Sequence, residues 1–346
     1  MVNDSSRWAC VCCALPARLV RHVHAVAGHA GEAAAEAHEK TTADLRASRH
    51  ARRRSHDAAR REIYDAGGGK KLPGVVARVE GQRAVGDRVV NDAYRNIGVT
   101  LDFFRKVLGR DSLDDKGMGV RAAVHFGREY PNAMWTGREM LFGDGDGVNI
   151  LGFANALDIV GHELAHAVTQ NCVHRGLGVV KSGGQVNLVG QAGALNESFS
   201  DVFASLIKQW NGKQTTKEAS WLVGEGVLAP HVGRAVRSLK DPGNARHTYP
   251  DDNQAKDMRG YEEGADAHTN SGIPNHAFYL AATRLGGHAW EQLGPVWYQA
   301  LGALKHDASF RDAAQATGEA AARLHGAGSA AQRAVVAAWT RVGVLG

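Results

Sequence analysis

His162-Glu163-Leu164-Ala165-His166 constrains this chain more than any other stretch. On a helix, residues four apart share a face, so both imidazoles can point at one ion. Glu163 lies near the same edge, where its carboxylate can hold a water beside that ion. Two imidazoles and a carboxylate suit zinc, with a fourth position left open for water. Taken alone, a five-residue pattern also arises by chance on an ordinary helix. A second segment answers that objection. Asn196-Glu197-Ser198-Phe199-Ser200-Asp201 sets Glu197 and Asp201 one turn apart on a helix that otherwise carries Leu195, Phe199, Val202, Phe203 and Leu206. Two carboxylates on its inner face are costly unless neutralised, and a divalent metal neutralises them. Glu197 is then the candidate third ligand. Asp201 can accept a hydrogen bond from the far nitrogen of a ligand imidazole and fix its tautomer. Asp158, one turn before His162, reads equally well as a cation-site acid or as an acid favouring the helix dipole.

Around these helices the periodicity is that of an α+β chain. Asn91 to Leu108 is amphipathic, with Ala93, Ile97, Leu101 and Phe104 on one side, and Val120 to Phe126 alternates like a strand. Gly143 to Gly147 is a loop. Helices follow from Asp158 to Asn171 and from Ala194 to Trp210, and the last 80 residues are Ala-rich and helical. The expected division is a basic extension over 1–61, a mixed, β-rich domain over 62–170 and a mainly helical domain over 171–346.

Charge and cysteine narrow the function classes. Residues 1–61 hold 11 Lys/Arg against 6 Asp/Glu, which accounts for the whole net charge of +5. The remaining 285 residues balance at 30 against 30, so no nucleic-acid-binding face is expected on the body. No apolar run is long enough to span a membrane. Of four cysteines, Cys10, Cys12 and Cys13 crowd the start and only Cys172 lies in the body, so no disulfide staples it internally. The crowded three lack the spacing of a zinc knuckle, and nothing supports a thiol latency switch. Trp8 to Leu15 is too short an apolar stretch for a convincing signal peptide. Residues 1–61 show helical propensity with little apolar periodicity, and Arg49 to Arg54 resembles a solvated helix or a proteolysis-prone linker.

Taken together, the motifs resemble the thermolysin-like zinc metallopeptidases, and within them the protealysin-like group with a short pro-segment. The likeness runs from about Tyr64 to the C-terminus. It rests on Leu72-Pro73-Gly74, Asn132-Ala133-Met134-Trp135, Phe142 to Gly147, Asp158 to Glu163, Gly193 to Glu197, Arg237-Ser238-Leu239 and His268 to Gly272. The resemblance implies a two-domain zincin with zinc between the domains, bound by His162, His166 and Glu197, with Asp201 orienting a ligand. Glu163 would act as general base. His268 would stabilise the oxyanion and donate a proton. Asn132 and Ala133 would hold the substrate backbone and Arg237 a carbonyl beyond the cut. Ile150, Phe153, Ile159 and Val236 match the pocket for the residue after the cut, and all four are apolar. The expected activity is endopeptidase cleavage before bulky hydrophobic residues, by a monomer acting on peptides, made as a self-inhibited precursor and exported. A cytoplasmic location is the alternative, given the missing signal.

The chain departs from that family pattern in four places. Thirty residues separate His166 from Glu197, a longer spacing than usual, with the Gly-rich excess around 172–187. Leu188 stands where the family has an oxyanion-holding tyrosine. Glu263 matches the acid that orients the histidine but is one methylene longer, and Asp266 can take over. Lys208 replaces an acid of the double calcium site, so that site is expected to be absent. These departures motivate a rival: a zinc-binding, catalytically impaired homologue acting as a binding partner.

Overall fold

Ile63 has no exposed surface, so the chain passes into the middle of a sheet directly after the basic extension. A computed structural model describes residues 12–26, 29–47, 60–182 and 185–346. The six-stranded sheet comprises β1 (Cys12–Cys13), β2 (Arg61–Asp65), β3 (Val75–Val79), β4 (Val120–Val124), β5 (Ala133–Trp135) and β6 (Met140–Phe142). Their order is β1-β5-β6-β4-β2-β3. The β2–β4 and β4–β6 pairs are parallel and the rest antiparallel. Strand β1 forms the edge, with Cys12 opposite Trp135 and Cys13 opposite Met134.

Two helices follow β1: α1 (Ala17–Val26) and α2 (His29–Ala47). Helix α1 buries Leu19, Val20 and Val23, one face of a helix, against the main core. The expectation of little apolar periodicity before residue 61 is corrected here: the face is ten residues long and easily lost among Arg and His. The Arg49 to Arg54 linker lies outside the described residues.

Helix α3 (Arg88–Leu108) begins earlier than the apolar pattern suggests, because the Asp87 carboxylate accepts from the amides of Val89 and Val90. It closes at Gly109, whose φ of 67° needs the left-handed region. Helix α4 (Leu157–Cys172) is buried on nearly every face. It packs lengthwise on α5 (Gly190–Gly212), with Gly161 close against Ile207 and Ala204. Between them the long spacing folds as a hairpin, β7 (Val179–Ser182) and β8 (Gln185–Leu188), whose second strand touches α2. A small pair, β9 (Leu222–Val223) and β10 (Arg237–Ser238), and helices α6 (Ala267–Asn270), α7 (Gly272–Leu285), α8 (Ala289–Gln292), α9 (Gly294–Ala303), α10 (Phe310–His325) and α11 (Ala330–Arg341) complete the helical half. The result is the α+β, two-domain arrangement expected, with the α4–α5 contact at the junction of its halves.

Candidate metal centre and active-site cleft

Each imidazole on α4 has its Nδ1 committed. His162 Nδ1 donates to Asp201 Oδ1 at 2.9 Å, and His166 Nδ1 to Asn196 Oδ1 at 2.8 Å, with Ser200 Oγ also 3.1 Å away. Both Nε2 lone pairs therefore face one another across 3.0 Å. Glu197 closes the third side, its carboxylate oxygens 3.3 Å from His162 Nε2 and 3.8 Å from His166 Nε2. All three residues have no exposed surface. Two lone pairs and a carboxylate so placed repel unless a cation lies among them, and the ligand atoms fall within 4.8 Å of one another. The donor set fits zinc.

The remaining groups fix the field. Burial pulls the His162 imidazole down, but the hydrogen bond and charge of Asp201 outweigh it and leave the ring at about 9. The same field favours a metal cation at Nε2. Burial alone dominates at His166, which falls to about 4. Asp201 resists burial through Arg237 and His162 and lies at about 2. Its oxygens accept from Arg237 Nε at 2.9 Å and from Asn275 Nδ2 at 2.9 Å, so its lone pairs are filled. Glu163 is also fully buried: Oε2 accepts from the Trp135 amide at 2.7 Å, while Oε1 has no partner among the described residues. Burial pushes its carboxyl up to about 8.

Opposite the ligands, His268 Nε2 lies 3.2 Å from Glu197 Oε2, and its Nδ1 donates to Asp266 Oδ1 at 2.7 Å. Burial opposes the charged ring, yet Glu197 and Asp266 raise it to about 10. The acid beside His268 is thus Asp266, which corrects the assignment of Glu263. Gly264, at φ 76°, turns the chain so that Glu263 is carried outward to accept from Tyr261. Asp266 caps α6 and reaches both the amide and the ring of His268.

Asn132, Ala133 and Arg237 all meet one segment of the chain's own N-terminal extension. Ala14 N donates to Ala133 O at 3.0 Å, and Leu15 N to Asn132 Oδ1 at 3.0 Å. Arg237 Nη1 donates to Ala14 O at 2.8 Å, and His268 Nε2 to Cys13 O at 3.2 Å. Ile159 and Val236 converge beside Gly224, whose added Cβ would meet both. Ile150 and Phe153 lie in the same buried apolar cluster. Leu188 packs with Val179 and Val186 in the hairpin. The Cys13 thiol is buried among Met134, Tyr130 and Leu45 and is not one of the clustered ligand groups.

Lys208 fills a second polar niche on the same helix pair. Its ammonium donates to Asp158 Oδ2 at 3.0 Å, Glu225 Oε2 at 2.9 Å and Leu222 O at 3.2 Å.

The arrangement decides the family when set beside known proteins. The thermolysin metallopeptidase catalytic-domain model matches residues 35–170 and the α-helical-domain model residues 185–344. The chain belongs to the thermolysin metallopeptidase family. It is a zinc metalloendopeptidase of the protealysin-like kind. The structure of the precursor of protealysin from Serratia proteamaculans aligns with a TM-score of 0.82 and 40% identity, covering 96% of this chain and 99% of that one. An extracellular metalloprotease of Pectobacterium carotovorum is 44% identical over 272 residues, 74% of each chain. A thermolysin of a Bacillus strain is 35% identical over 292 residues, and the chain spans half of that relative's length. The two matched stretches leave out 171–184, where the hairpin begins. Asn196, Ser200 and Asn275 escaped the sequence reading of the site. Asn196 adjoins Glu197 and was within reach. Nothing in the sequence marks Asn275.

Proposed function

We propose that this zinc metallopeptidase hydrolyses internal peptide bonds on the N-terminal side of bulky hydrophobic residues, and that it is made as a self-inhibited precursor. The observation that carries the first part is the facing pair of Nε2 lone pairs closed by Glu197, with the unpartnered Glu163 Oε1 beside them. His162, His166 and Glu197 would hold the metal, with Asp201 orienting His162. Zinc, when bound, supplies Lewis acidity for water activation and for polarising the scissile carbonyl. Glu163, with a carboxyl near neutral range, takes the water proton and passes it to the leaving amine. His268, cationic and held by Asp266, donates to the developing oxyanion. Asn132 and Ala133 bind backbone amides and Arg237 a carbonyl. Ile150, Phe153, Ile159 and Val236 provide the apolar surface that selects the residue after the cut.

Residues 13–15 occupy those backbone-binding groups, which supports latency. We place the pro-segment cut before Arg60, since Arg60 O already accepts from Val120 N and the Arg61 amide donates to Glu80. Finding only full-length active enzyme by mass spectrometry would overturn the precursor reading. The extracellular name of the relative supports export, and no helix among the described residues is long and apolar enough to cross a membrane. We also propose that Lys208 stands in for calcium at the acids around Asp158, so that no double calcium site forms.

The test is hydrolysis of casein and of a quenched peptide with a central Gly–Leu bond, by wild type and Glu163→Ala, with and without chelator. Cleavage before Leu that vanishes in the mutant and with chelator is expected. Stoichiometric zinc with wild type equal to the mutant, after pro-segment removal, would instead support the impaired binding-partner reading.

A further inference from the structure

The extension does more than cover the cleft: it lies there in a defined register. Three groups read Ala14 and Leu15 through their main chain alone. Ala133 O takes the Ala14 amide, Arg237 Nη1 the Ala14 carbonyl, and Asn132 Oδ1 the Leu15 amide. Asn132 Nδ2 returns a longer bond to Leu15 O at 3.4 Å. Upstream, Cys13 is paired antiparallel to Met134, and its carbonyl oxygen receives His268 Nε2. The carbonyl at the group that would hold an oxyanion is thus that of Cys13. The amide at the group that would hold the residue after the cut is that of Ala14. Both residues are buried, and Ala14 and Leu15 belong to the same apolar cluster as Ile159 and Val236.

We propose that the Cys13–Ala14 bond is the enzyme's own substrate, cut once within the same molecule while the rest of the extension stays docked. The proposal rests on the peptidase reading above. The step consumes one water. Its oxygen bonds to the Cys13 carbonyl carbon, the Cys13–Ala14 C–N bond breaks, and Glu163 moves the water proton to the departing Ala14 nitrogen. The second water proton follows as the acid ionises, so Cys13 ends as a carboxylate and Ala14 as an ammonium. Ala14 offers only a single methyl to the apolar pocket that selects the residue after the cut, so the bond is a poor substrate and turns over slowly. The new amino terminus does not leave with the cut. Helix α1 holds it through Leu19, Val20 and Val23, and through the 2.6 Å contact of His22 Nδ1 with Asp251 Oδ2. The nicked protein is therefore still latent, and release of residues 1–13 is separate from activation.

Two measurements on the full chain test this. In zinc-loaded Glu163→Gln, where the bond stays whole, the amides of Ala14 and Leu15 should exchange with deuterium about 100-fold slower or more than in the free peptide. Exchange at the free-peptide rate would remove the register and overturn the proposal. After zinc loading, intact mass under denaturing conditions should show a 14–346 species growing with time. Its rate should be independent of dilution, faster in Ala14→Leu and absent in Glu163→Gln. Full-length Glu163→Gln mixed with active wild type should keep its Cys13–Ala14 bond; cutting of that bond would show action between molecules and overturn the proposal. The same sample, freed of residues 1–59 by an added protease, is assayed on the Gly–Leu peptide. If it cleaves that peptide while the precursor's Cys13–Ala14 bond stays whole, this inference falls and the peptidase reading stands. If neither bond is cut, both fall.

Discussion

Helices α4 and α5 enclose two polar clusters built from similar parts, and they solve the same problem in opposite ways. One joins His162, His166, Glu197 and Asp201; the other joins Asp158 and Glu225 around Lys208. Asp158 is one turn from His162 on α4. Burying a carboxylate without a counter-charge costs several kcal/mol, so each cluster needs a cation. At Lys208 the chain supplies its own: an ammonium reaches two carboxylates and a carbonyl, and the niche is closed. At the histidines, Arg237 covers Asp201 and His268 approaches Glu197, yet the ring hydrogens point outward to Asp201 and Asn196 and the two lone pairs inward to a place that suits an external cation. Chemistry is possible only in the histidine cluster, because a metal keeps a coordination site for water and an ammonium does not.

Separating the two clusters by mutation is the direct way to break that comparison. Glu197→Ala should reduce zinc content from one per chain to near none and peptide hydrolysis to background, measured by metal analysis and the Gly–Leu assay. If zinc stays, the carboxylate is not a ligand and the contrast collapses. Lys208→Met should do the reverse: zinc content holds, while unfolding stability falls by about 3 kcal/mol through the uncompensated Asp158. Denaturant melts decide it, and a loss of zinc instead would show the clusters to be coupled. Asp201→Asn should weaken zinc affinity by about 10–100-fold without abolishing it, since His162 loses its charged anchor. Competition with a zinc indicator would measure that, and unchanged affinity would reassign Asp201 to holding Arg237.

A third buried ionisable group sharpens the contrast, because among the described residues it has no counter-ion. His38 on α2 packs its ring 5.1 Å from that of Tyr130, with His24 on α1 and Arg46 on its own helix as charged neighbours. Burial, then the charges of His24 and Arg46, lower it from 6.5 to about 4. A histidine with a depressed value in the docked state contributes its full docking stability above 6.5 and loses it as pH falls toward 4. The loss amounts to about 3 kcal/mol. The protection of the α2 amides in zinc-free protein, taken relative to the free peptide at each pH, should fall between pH 7 and 4.5, and His38→Gln should flatten that dependence. A pH response unchanged in His38→Gln would move the effect elsewhere.

Much of this molecule was legible before any coordinates. The helices carrying His162 and Glu197 follow from ligand spacing, since 3.6 residues per turn fixes which side chains share a face. Their neighbours were less legible. Helix α1 hides its apolar face because Arg and His fill the positions between Leu19, Val20 and Val23. Glu263 looked like the partner of His268 by position, whereas a glycine turn and a helix cap gave that place to Asp266. Spacing along a chain does not encode which of two nearby acids a turn will swing outward.

The sequence by itself determined the metal chemistry: two imidazoles one turn apart, a carboxylate on a second helix and an acid beside the first imidazole admit few other uses. It also determined the lysine where a cation-binding acid was expected. Only the tertiary structure decided what fills the cleft. Residues 13–15 bind through backbone amides and carbonyls, which every residue carries, so no side-chain pattern announces them. Their register depends on Asn132, Arg237 and His268 meeting in space from three distant parts of the chain, and folding alone brings those together.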